Sequence, residues 1–170
     1  MNNLKQSLQA ILNNAKRVVI LGVGSEIRSD DAVGMIIARK LASIDLSKAK
    51  IPVNILLGST APENFTGEIK KFNPSHLIMI DCAFMGKNPG EAALIDIKDE
   101  KGGIPFSTHK LPLILMDEYL KQSIDCETVT LGIEPKSTEY GETQSQEILE
   151  AADMIVELLV ETLTPFPPLP

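Results

Sequence analysis

The chain is short of several things, and each shortage excludes a class of function. It has no run of about 18 consecutive apolar residues, so it contains no membrane-helix candidate. The opening stretch MNNLKQSLQAILNNAKR lacks a continuous apolar core and does not read as a secretory signal. Basic residues are few and scattered. No cluster is longer than a pair such as Lys70-Lys71, against a net charge of −7 and a pI near 4.9. Nucleic-acid binding depends on clustered Lys and Arg, so this balance argues against it. Two cysteines, Cys82 and Cys126, stand too far apart for a local metal knuckle and read as buried thiols rather than a disulfide. Histidine occurs twice, as His76 and His109. A cytoplasmic protein is expected.

What is present is apolar patterning: hydrophobic residues make up 44% of the 170 positions, enough for one globular domain over 1–163 with a Pro-rich tail at 164–170. Helical spacing places helices at about 2–15, 31–45, 112–123 and 143–163. Non-alternating apolar runs place buried strands at 17–24 and 76–81, with further strands at 53–58, 92–97 and 127–134. KDEKGGIPF reads as a surface loop. Strands alternating with helices predict a three-layer α/β fold with a mainly parallel sheet. Ligands in such sheets sit beyond the carboxyl ends of the strands.

Asp30 and Asp31 follow the first strand, and Asp81 closes the third. Asp30 suits a helix N-cap; Asp31 serves either the same helix start or a ligand. His109 would complete a set of two carboxylates and one imidazole, donors that suit a first-row divalent ion. Three other chemistries meet obstacles. GVGSEI resembles the opening of a dinucleotide fingerprint, but Ile27 stands where its third glycine belongs. Ser25 or Ser107 as a serine nucleophile lacks the G-x-S-x-G elbow. A nucleophilic Cys82 has nothing nearby in sequence to lower its pKa.

In order along the chain stand LGVGSEIRSDDAVG, GSTAPENFTGEIKKFNPSHLIMIDCAFMGKNPGE, STHKLPL and LGIEP. From about residue 17 to 163 the sequence resembles the hydrogenase maturation endopeptidases, nearest the branch serving hydrogenase 3-type, group 4 NiFe-hydrogenases. The resemblance implies a three-layer α/β/α sandwich, phosphorylase/hydrolase-like, with a mainly parallel five-stranded twisted sheet. It also implies an aspartyl-type endopeptidase that removes a C-terminal extension from a hydrogenase large-subunit precursor once nickel is inserted. The family's metal-contacting and catalytic positions correspond to Asp31, Asp81 and His109. The cofactor it implies is nickel presented by the precursor, and the metal either polarises the scissile carbonyl or leaves a carboxylate to activate water. Asp30 is then left as the helix cap.

Three positions depart from the family pattern. Ser25 stands where asparagine is usual, Ala32 where glycine is usual, and Leu57 where an aspartate often opens the loop after the second strand. The competing expectation is a noncatalytic, nickel-dependent precursor-binding module on the same scaffold.

Overall fold

The computed structural model describes residues 2–97, 106–107, 109–141 and 143–164. Five strands form a sheet in the order β2-β1-β3-β6-β4, where β1 is Val18–Val23, β2 Val53–Ser59, β3 His76–Phe84, β4 Ala92–Ile95 and β6 Glu127–Ile133. The first four strands in that order run parallel, and β4 closes the edge antiparallel to β6. A two-residue strand, β5 (Phe106–Ser107), pairs antiparallel with Ala83 and Phe84 at the end of β3. Composition places Phe106 in a surface loop, whereas it pairs in β5; residues 98–105 of that loop, and 165–170 of the tail, lie outside the described residues.

The helices are α1 (Asn2–Leu12), α2 (Val33–Ala42), α3 (Thr66–Phe72), α4 (Lys110–Ser123) and α5 (Gln146–Leu163). Side chains of β1 and β3 alternate between two apolar layers, as the period of two along a strand requires. Val18, Ile20, Ile78 and Ile80 pack under α1, α2 and α5, and the α5 stripe Ile148, Ala152, Ile155, Leu159 and Leu163 closes this layer. Val19, Leu21, Leu77 and Met79 pack on the other side against Ile69 of α3 and Leu113, Met116 and Leu120 of α4. Both faces of β1 and β3 are therefore covered, which is why their sequences run apolar without alternation.

Two features of the sheet position the site. The β1–β3 ladder runs from Val18↔His76 to Gly22↔Ile80. Asp81 is thus the first β3 residue past the end of that pairing, although β3 itself continues to Phe84. The second feature is the closeness of α2. A Cβ on Gly34, in its first turn, would lie 2.2 Å from the carbonyl oxygens of both Val23 and Ile80. A Cβ on Gly22 would lie 2.3 Å from the Gly34 carbonyl oxygen. The helix start is seated directly on the β1–β3 seam, backbone on backbone.

Because those neighbours are main chain, they cannot swing aside. Gly34→Ala is expected to cost about 3 kcal/mol of unfolding free energy. Gly67→Ala, on α3 with nothing within 4 Å of the added carbon, is expected to be neutral or slightly stabilising. Urea denaturation of both variants checks this, and equal midpoints would refute the close-approach argument.

Candidate metal-facing active site

The loop from Gly24 to Asp31 turns sharply off β1. Gly24 has a φ of 138°, and a Cβ there would lie 1.8 Å from the Asp31 carbonyl oxygen. The chain's own backbone therefore occupies the approach that a pyrophosphate would need. The chain then makes a 3-10 turn, Ser29–Ala32, before entering α2.

Asp30 and Asp31, both buried, diverge from this turn. Asp31 Oδ2 accepts the Ser25 N–H at 2.9 Å. Asp81 Oδ1 accepts the Cys82 N–H at 2.9 Å and lies 3.4 Å from His109 Nδ1. His109 sits just before α4, its carbonyl accepting the Leu113 N–H. One ligand atom from each of Asp31, Asp81 and His109 lies within 4.8 Å of the others, and all three residues are buried. The donor set fits a first-row divalent cation. The second histidine, His76, opens β3 at the opposite end of the sheet, with Ser75 Oγ at 3.0 Å and Glu127 at 3.4 Å.

The cluster's field is visible in His109. Burial opposes its charged form and Arg28 does too. The hydrogen bond to Asp81 and the charges of Asp81 and Asp31 outweigh them and hold its pKa above the usual imidazole value. An environment that retains a proton there favours a metal cation as well, and the two compete for the site.

Asp30 does not cap its own helix. Neither the 3-10 turn nor α2 has a side-chain cap. Its Oδ2 instead accepts the N–H groups of Lys136 and Ser137 at 2.8 and 3.2 Å and the Ser145 hydroxyl at 2.9 Å, while Oδ1 accepts the Ser145 N–H at 2.7 Å. Ser145 is the N-cap of α5, accepting from the Ile148 N–H. Asp30 thus serves the start of a different helix, where its charge also complements the dipole. The capping role moved because the N–H groups in reach belong to a distant loop.

A second buried carboxylate, Glu134, was not singled out by sequence. It accepts the Met85 and Lys87 N–H groups at 2.6 and 3.1 Å and so fixes the MGKNPGE turn after β3. Its only sequence signal was an acidic residue closing an apolar strand.

Cys82 is fully buried, and burial first, then the charges of Asp81, Asp31, Asp30 and Glu134, push its thiol far up, so it is not a nucleophile. Cys126 is likewise buried and free, pushed up to about 11. Ala32 has ordinary helical dihedrals, so alanine fits where the family usually has glycine. Ser25 holds Asp31 through its main-chain N–H, which any residue but proline supplies. Leu57 lies inside β2 opposite Gly22, not at the start of a loop.

The family model described as hydrogenase maturation protease matches residues 35–162. A putative hydrogenase maturation protease of Methanocaldococcus jannaschii is 37% identical over 165 residues, covering 94% of this chain and 96% of that protein. This chain belongs to the hydrogenase maturation protease family. Its peptidase fold agrees with that assignment. The crystal structure of a NiFe hydrogenase maturation protease from Thermococcus kodakarensis superposes with a TM-score of 0.81 at 33% identity, covering 92% of this chain and 98% of that one. The hydrogenase 3 maturation protease of Escherichia coli is 31% identical over 141 residues, 83% of this chain and 87% of that protein. The expected mainly parallel five-stranded α/β sheet is therefore the family's fold, and the chain is a hydrogenase maturation endopeptidase. None of its described helices is long and apolar enough to cross a membrane.

The two aspartates should separate cleanly in stability. Asp30→Ala removes the acceptor of three part-buried N–H groups and one hydroxyl and should cost about 3 kcal/mol. Asp31→Ala removes the acceptor of the buried Ser25 N–H but relieves repulsion with Asp81, so it should cost less. Denaturant unfolding of the two variants measures the difference; equal losses would contradict the division of roles.

Proposed function

We propose that this protease removes the C-terminal extension of a NiFe-hydrogenase large-subunit precursor after nickel has been inserted, in the cytoplasm. The reading rests on one observation above all. Asp31, Asp81 and His109 converge within 4.8 Å where the β1–β3 pairing ends, in a chain of this protease family.

Nickel enters this account as part of the substrate. Asp31 and Asp81 supply anionic oxygens and His109 a nitrogen, so the three recognise a nickel centre and bring the adjoining peptide to the mouth of the sheet. A divalent ion bound there supplies Lewis acidity toward the scissile carbonyl. Asp31 is held by Ser25 and Asp81 by Cys82, so neither carboxylate must reorganise as the precursor docks. Burial of all three excludes bulk water and strengthens their interactions with a cation. A carboxylate of the pair is also placed to accept a proton from an attacking water, general-base work worth about 10²–10⁴ in rate.

Incubation with nickel-loaded precursor, followed by mass analysis of its C-terminus, tests the reading. Wild type should shorten the precursor at one site, and Asp31→Ala or His109→Ala should slow the cut by about 10²-fold or more. Precursor stripped of nickel should remain uncut. Normal processing by either variant, or nickel-dependent binding by wild type without cleavage, would contradict it; the second result would indicate the binding-module alternative.

A further inference from the structure

Arg28 takes no part in the chemistry described so far, yet it is held in one place. Its Nε donates to the Thr138 carbonyl at 3.0 Å, and its guanidinium lies 4.7 Å from the centroid of the Tyr140 ring. It is half-buried, and its Nη groups have no hydrogen bond or ion pair among the described residues. Its positive field reaches His109, where it acts against the imidazolium.

The loop carrying it is laced to the loop that follows β6. Ser29, the next residue, has a φ of 41°, an uncommon conformation for a residue other than glycine. The strain is held by Ser29 Oγ donating to the Thr143 carbonyl, by Gln144 Nε2 donating to the Ser29 carbonyl, by the four Asp30 contacts, and by the Gly141 N–H donating to the Ile27 carbonyl. A backbone over-determined in this way beside a reaction centre sets the direction of the side chain it carries.

Charge identifies the ligand. A divalent ion bound by Asp31, Asp81 and a neutral His109 leaves the cluster uncharged, and Arg28, whose field reaches His109, then has no carboxylate partner among the described residues. The guanidinium fork matches a carboxylate, which it binds with two parallel hydrogen bonds. Tyr140, whose ring lies under the guanidinium, is 67% exposed, and Ile27, the residue before Arg28, is 68% exposed. Tyrosine and arginine are both enriched among the residues that dominate binding energy.

We infer that Arg28, stacked on Tyr140, receives a carboxylate of the hydrogenase precursor and so sets the register of the peptide against Asp31, Asp81 and His109. This rests on the processing role proposed above. The carboxylate comes either from an acidic side chain near the cut or from the terminus of the extension.

Single-turnover cleavage of nickel-loaded precursor across a range of enzyme concentrations tests it. Arg28→Ala and Arg28→Gln should raise the half-saturating concentration by about tenfold or more, with the maximal rate within about twofold of wild type. Arg28→Gln retains a donor for Thr138, so wild-type behaviour by this variant would assign Arg28 a purely structural role and overturn the inference. Two precursor arms identify the source: acids near the cut replaced by their amides, and a C-terminus blocked as an amide. One arm should weaken binding to wild type while adding nothing to the Arg28→Ala defect. Full additivity in both arms, or a loss confined to the maximal rate, would overturn the proposal. Failure of wild type to cleave would instead overturn the processing role itself.

Discussion

The site depends on the seam between β1 and β3, and that seam depends on a missing side chain. Gly34 allows the first turn of α2 to rest on the Val23 and Ile80 carbonyls. With the helix seated there, the preceding turn must fold back over the ends of both strands. That places Asp31 above β1 while Asp81 emerges from β3 just where the ladder with β1 stops. The glycines of the first loop resemble a phosphate-binding turn in sequence, but here their freedom serves a close packing of protein on protein.

Buried carboxylates divide the remaining work. Asp31 and Asp81 converge on His109, an arrangement that concentrates negative field in a small volume. Asp30 and Glu134 are buried as deeply but spend their oxygens on main-chain N–H groups of the loops after β6 and β3. Both kinds accept main-chain N–H groups, but the oxygens of Asp31 and Asp81 also converge with the His109 ring. Only the first kind is suited to a cation. The second kind fixes the walls around it, including the loop whose Thr138 and Tyr140 hold Arg28.

Much of this was legible in the sequence because it is carried by local pattern. The continuous apolar runs located β1 and β3, with Asp31 shortly after the first and Asp81 in the second, and all five residues expected on the α5 stripe are buried, although Ala151, Val156, Leu158 and Val160 are buried with them. What escaped was long-range. Asp30 looks like a cap for the helix it precedes, but its partners lie more than a hundred residues further on, where no local rule reaches. Nothing in the local pattern marks Gly34, whose role rests on the Val23 and Ile80 carbonyls packed against it. β5 is two residues long in a stretch of glycine, proline and charge, and it exists only because β3 continues past Asp81 to offer Ala83 and Phe84 as partners.

The central claim is that Asp31, Asp81 and His109 form one metal-facing unit at the β1–β3 mouth. Crystals of the protein soaked in nickel, with diffraction recorded on either side of the nickel absorption edge, test it most directly. The account predicts an anomalous peak bonded to all three side chains, at roughly 2.0–2.2 Å, as for other first-row divalent ions on imidazole and carboxylate. A nickel site elsewhere on the surface, with none bonded to these residues, would contradict it.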